Sequence, residues 1–135
     1  MPDRINHLAV WVAAIAFFFW GAVWYMFLFG SAWRALAGSP PMPTLGTFIE
    51  SFLLGLILAY ATAMALTRRA EDQTIQQGMS FAIFMGIGLY ATMTLNHVIY
   101  EGRSLTLWLI NTAYTLIGFM IIGAIVGEWK KKGVI

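Results

Sequence analysis

The sequence contains no cysteine. Disulfides, thiolate metal clusters and thiol nucleophiles are therefore excluded, and nothing about redox compartment follows. Charge is scarce as well: Asp, Glu, Lys and Arg make up 10% of the 135 residues, against about a quarter in a soluble domain. No serine sits in a nucleophile elbow, no glycine-rich loop is shaped for phosphate, and no residues stand at metal-ligand spacing, so the sequence predicts no enzyme. What replaces these groups is apolar: 60% of the chain is hydrophobic. A soluble domain this small buries only about two-thirds of its surface, so lipid must cover the rest. The net charge of +2 comes from residues at the ends of apolar runs. It is a topology signal and argues against nucleic acid as a partner.

Four apolar runs follow one another: Leu8 to Phe29, Phe48 to Leu66, Met79 to Tyr100 and Leu105 to Gly127. A helix of about 20 residues at 1.5 Å each crosses the hydrocarbon layer. Lipid offers no hydrogen bonds to the backbone, so each crossing must be helical. The sequence thus predicts one all-α domain over residues 1–135 with four transmembrane helices, over about 5–29, 47–67, 77–100 and 104–128. Thr47 with Glu50, and Thr74 with Gln77, have the spacing of capping boxes that open the second and third helices. Ser104 is placed to cap the fourth, and Gly30 and Gly102 to stop the first and third. Between Gly30 and Pro43, Trp33 favours a short turn lying in the interface. Ala35-Leu36-Ala37 is spelled like a signal cleavage site, but the preceding run exceeds an h-region of about 7–15 residues, so cleavage is not expected.

Positive charge sets the expected orientation. Arg4, Arg68, Arg69, Lys130, Lys131 and Lys132 share one side of a four-crossing chain, and only Arg34 and Arg103 lie on the other. This asymmetry predicts both termini in the cytoplasm.

Small residues recur at intervals of four: Ser51, Gly55, Ala59 and Ala63 in the second helix, Gly78, Ala82 and Gly86 in the third, Gly123 and Gly127 in the fourth. Residues four apart share a helix face, where small side chains allow close backbone approach in lipid. Each strip serves either packing within one bundle or contact with a partner chain. The exits of the first and third helices, Trp24 to Gly30 and Asn96 to Gly102, lie 72 positions apart. The chain reads either as two parallel hairpins related by an axis along the membrane normal or as two hairpins with only the general likeness of short membrane helices.

The polar residues gather towards the side opposite the termini: Glu50, Asn96, His97, Glu101, Arg103, Asn111 and Tyr114, with Trp24 and Tyr25 at the same level. Such residues usually turn inward and find partners. Glu50 is read first as the last member of its capping box, its charge suiting a helix N-terminus, and second as a proton or cation site. Asn111 is expected to hydrogen-bond across helices. His97 can titrate near neutral pH or ligate a haem or pigment, although a second histidine ligand at its level would have to come from another chain. No cofactor is otherwise evident. The first functional expectation is an accessory subunit that packs against other membrane subunits, or copies of itself, in a respiratory or photosynthetic complex. The alternative is a small transporter or channel acting as a homo-oligomer, with Glu50 and His97 in the pathway. An enzyme acting on lipid ranks last, because no nucleophile and base stand together.

Several motifs are shared with a known family. Asn6-x-x-Ala9-Val10 is followed by Ala13-Ala14, then Trp24-Tyr25, Phe29-Gly30-x-x-Trp33, Asn96, Glu101-Gly102-Arg103, Ile110-Asn111-x-x-Tyr114 and Gly123. This pattern resembles the bacterial membrane-protein family catalogued as domain of unknown function 1761 over nearly the whole chain. Family members often follow Trp-Tyr with Ser-Pro, where this chain has Met26-Phe27. The resemblance implies four helices in a bacterial inner membrane and implies no activity.

Overall fold

A computed structural model describes residues 5–38, 40–67 and 74–129. Helix α1 (His7–Ala22) continues as a π-helical turn over Val23–Leu28, and a short helix α2 (Gly30–Leu36) follows. Helix α3 (Leu45–Thr67) returns across the bundle. The third crossing is made of α4 (Ile75–Met85), a second π-helical stretch over Gly86–Ala91, and α5 (Thr92–Glu101). Helix α6 (Leu105–Glu128) is the fourth. Four spans, His7–Leu28, Leu45–Leu66, Ile75–Glu101 and Leu105–Glu128, are long and apolar enough to cross a membrane. They match the four expected helices to within about two residues, the usual uncertainty of helix ends. The residues that carry the orientation argument, Arg4, Arg68, Arg69 and Lys130 to Lys132, lie outside the described residues.

Local chemistry explains most helix boundaries. Thr74 accepts a hydrogen bond from the Gln77 backbone N–H and Ser104 one from that of Leu107, so both serve as the expected N-caps. Gly102 ends α5 in the left-handed region at φ 65°, and the N–H groups of Gly102 and Arg103 both return to the Val98 carbonyl. A side chain with a Cβ would be strained there. The opening of α3 differs from expectation. Thr44 and Thr47 bond reciprocally, each hydroxyl taking the other's backbone N–H at 3.2 Å. The cap is therefore one turn earlier, and Glu50 lies on the helix proper, exposed. The capping pattern was real but read three residues too late, because threonine can supply the return bond that glutamate was expected to make.

Helix α6 is the hub, packing against α1, α3 and α4, while α1 also packs against α3. Ala13 and Ala14 of α1, Ala59, Ala63 and Leu66 of α3, and Ile122 and Val126 of α6 form one buried cluster. The tightest approach is between α4 and α6. A Cβ on Gly78 would overlap the Gly123 carbonyl, and one on Gly123 would overlap that of Gly78. Gly127 lies beside the same contact, 3.1 Å from Gly78 Cα when given a Cβ. Ala82 and Gly86 continue the buried face, Gly86 against Leu116. Gly55 is buried against Phe17. Thus the small-residue strips face inward, and only Ser51 at the end of the α3 strip is exposed. Among the described residues α3 and α4 do not pack as α1 and α6 do, so the two hairpins are not equivalent in their contacts.

Candidate functional site

The first and last helices meet through aromatic side chains beyond the core. The π-helical turn over Val23–Leu28, closed by the Phe29 N–H bonding to the Trp24 carbonyl at 2.8 Å, inserts an extra residue into the turn. Such turns redirect side chains. Here Tyr25 faces α6, and its hydroxyl donates to Asn111 Oδ1 at 2.5 Å. The rings of Tyr25 and Tyr114 meet edge to face, 4.9 Å apart, and Trp20 Nε1 donates to the Tyr114 carbonyl at 3.1 Å. Trp33 of α2 closes over Tyr25, 5.2 Å between ring centres. Asn111 therefore makes the interhelical bond expected of it, and Tyr114 belongs to the same cluster. Trp24 is buried against Trp20 and Phe29. Its Nε1 and the hydroxyl of Thr112 have no hydrogen-bond partner among the described residues.

Beside this cluster, α5 and α6 enclose an open pocket of about 270 Å³. Tyr90, Thr94, Val98 and Glu101, spaced three or four apart, form the α5 wall together with His97. Ser104, Leu107, Trp108 and Asn111 form the α6 wall, and Arg103 stands at the turn between them. One hydrogen bond crosses the floor: Trp108 Nε1 donates to Thr94 Oγ1 at 2.8 Å. The Thr94 hydroxyl in turn donates to the Tyr90 carbonyl at 2.8 Å. Tyr90 lies within the second π-helical stretch, and Thr92, directly after it, donates to the Ile87 carbonyl five positions back. At the mouth, Arg103 Nε bonds Glu101 Oε1 at 2.6 Å, and His97 Nδ1 is 3.8 Å from Glu101 Oε2. All three side chains are exposed, so these ion pairs contribute little to stability.

Of the predicted site residues, His97, Glu101, Arg103 and Asn111 share this pocket, and Tyr114 joins it through Tyr25. Glu50 and Asn96 do not line it; both are exposed, Asn96 without a hydrogen-bond partner among the described residues. Sequence reasoning missed Tyr90, Thr94, Ser104 and Trp108 as lining residues. Their spacing against Glu101 and Asn111 was the available signal. The opposite end holds ties that were also missed. Asn6 caps α1 and donates to the Trp129 carbonyl at 3.0 Å. Glu128 Oε1 accepts from the Ile75 N–H at 3.1 Å, and His7 Nδ1 pairs with the Tyr60 hydroxyl at 2.8 Å.

Four apolar spans around an alanine core, closed by a glycine contact at one end and opened by a polar pocket at the other, define a small four-span membrane protein. Its sequence matches the profile described as "Protein of unknown function (DUF1761)" over residues 8–127, and the chain belongs to that family. No curated protein and no solved structure matches it. The motif residues that carry the resemblance include the Asn6 cap, the buried Ala9, Val10, Ala13 and Ala14, and the Tyr25 to Asn111 bond.

Proposed function

We propose that this chain is a non-catalytic membrane subunit that packs against other membrane-spanning chains in a larger assembly, respiratory or photosynthetic in type. The supporting observation is the exposure of Asn96 on α5, a helix that among the described residues packs across the bundle mainly against α6. The third span is the least buried of the four, 22% of its apolar window against 33% for the fourth. The amide stands on that outer face one position from His97, and polar groups in spans usually pair. Another chain can supply the partner. The small-residue strips are used inside the bundle, so the contact runs through large side chains beside Asn96, such as Met93 and Tyr100, both exposed. Transport within one bundle finds less support. The core beside the glycine contact is filled, and His97 lines the pocket while Glu50 does not. A pathway through those two residues runs only between chains. The family resemblance and the positive-charge asymmetry favour a bacterial inner membrane with cytoplasmic termini.

The test is extraction from the native membrane in several mild detergents, with particle mass measured for the natural chain and for Asn96→Leu. A particle well above 15.0 kDa plus its micelle is expected, and the leucine variant should dissociate from it. A monodisperse single chain in every detergent overturns the proposal.

A further inference from the structure

The pocket between α5 and α6 grades from charge to apolar surface. Its mouth lies at the Gly102 turn, where α5 leaves the span and α6 enters it. From Glu101 down to Tyr90 the α5 wall descends roughly 16 Å at 1.5 Å per residue. The mouth carries both signs of charge, Glu101 and Arg103, with His97 beside them. Below them the lining turns neutral, with the Thr94 to Trp108 hydrogen bond as its floor, and Val98 and Leu107 are apolar. A volume of about 270 Å³ is just below the usual range for drug-sized ligands, about 300–1,000 Å³. It suits a headgroup with the first part of a chain.

We infer that this pocket binds the headgroup of a zwitterionic phospholipid carrying a primary ammonium. The phosphodiester faces the Arg103 guanidinium, which spends its Nε on Glu101 and retains its two terminal nitrogens for the two non-bridging phosphate oxygens. The ammonium faces Glu101, whose carboxylate accepts hydrogen bonds that a quaternary ammonium cannot donate. A purely anionic headgroup satisfies Arg103 but meets Glu101 unfavourably. The acyl chains run down Val98 and Leu107 into the bilayer. A soluble phosphate ester of the same charge lacks those chains and gains nothing from the lower walls.

The experiment is a titration of the purified full chain in detergent with phosphatidylethanolamine, phosphatidylcholine and phosphatidylglycerol, read as lipid-bound species by native mass spectrometry. Phosphatidylethanolamine should bind about tenfold more tightly than the other two, the equivalent of one charge-assisted hydrogen bond. Arg103→Gln should lower its affinity about tenfold, and Glu101→Gln should abolish the preference over phosphatidylcholine. Both positions are exposed at the turn, so the variants should melt with the natural chain. Thr94→Val, which removes the acceptor of the Trp108 bond, should weaken binding without changing headgroup preference. Equal affinity for phosphatidylglycerol, or unchanged binding in both charge variants, overturns the inference. So does soluble glycerophosphoethanolamine competing as effectively as the whole lipid.

Discussion

The two ends of the bundle are built on opposite principles. At the end holding the start of α1 and the finish of α6, backbones touch: Gly78 against Gly123, with Gly127 alongside. Short polar ties then lock the helix termini, Asn6 to Trp129 and Glu128 to Ile75. At the other end the helices stand apart, separated by Trp20, Tyr25, Trp108 and Tyr114, and the π-helical turn of the first span lies on that side, while that of the third lies at mid-span. Close backbone approach leaves no room for a ligand. Aromatic spacers leave pockets and hydrogen-bonding groups. A helix bundle in lipid gains little from burying apolar groups among apolar tails, so cohesion falls to the backbone contacts at one end, which leaves the other end room for a polar pocket.

The sharpest way to break the comparison is at the glycine end. In Gly78→Ala the new methyl meets backbone, which cannot swing aside. The α4 to α6 contact must open, at a cost of about 3 kcal/mol, the upper part of the overpacking range. Unfolding followed by circular dichroism in mild detergent should show a larger loss than Tyr25→Phe or Thr62→Val causes. Gly88 provides the control within the same span, since a Cβ there meets nothing within 4 Å. Stability unchanged by Gly78→Ala would mean that the helices are less closely apposed.

A smaller effect is expected from Tyr25→Phe. The ring stays and keeps its edge contact with Tyr114, while Asn111 loses the donor to its Oδ1. Interhelical hydrogen bonds in membranes average about 0.6 kcal/mol and rarely exceed about 1.7, so a loss of about 1 kcal/mol is expected in the same assay. A loss as large as that of Gly78→Ala would erase the difference between the two ends and make the tyrosine cluster a keystone of the fold.

How much of this was legible in the sequence follows the same division. The spans were legible because hydropathy alone sets them. The glycine end was legible as strips, because four-residue spacing maps directly onto a helix face. Which neighbour each strip meets was not, since Gly78 does not encode Gly123. At the aromatic end, Asn111, His97, Glu101 and Arg103 were picked out by polarity, but Thr94 and Trp108 were passed over because threonine and tryptophan are ordinary residues in membrane helices. Glu50 was misplaced because the cap was set three residues late, at Thr47 and not Thr44. The π-helical turns left little mark: Val23 to Leu28 is apolar and aromatic like the helix before it, and only Gly86 and Gly88 weaken the helix signal over Gly86 to Ala91. The first of these turns redirects Tyr25, so its bond to Asn111 does not follow from a 3.6-residue period.

The smallest effect belongs to Thr112, and its sign is what matters. The hydroxyl is buried at the aromatic end and bonds to nothing among the described residues. A buried hydroxyl without a partner retains its desolvation penalty, about 1–3 kcal/mol in protein interiors. Thr112→Val replaces that hydroxyl with a methyl of nearly the same shape. If this end tolerates loose ends because it is built for binding, the variant should be as stable as the natural chain or more stable by about 0.5 kcal/mol, a fraction of that penalty. The same substitution at Thr62, whose hydroxyl donates to the Leu58 carbonyl at 2.8 Å within the tightly packed part of α3, should be destabilising instead. Measured side by side by thermal unfolding, opposite signs would establish that polar satisfaction is strict where the helices touch and relaxed where they part. A clear loss at both positions would mean that Thr112 bonds the backbone of its own helix, four residues back, as Thr62 does.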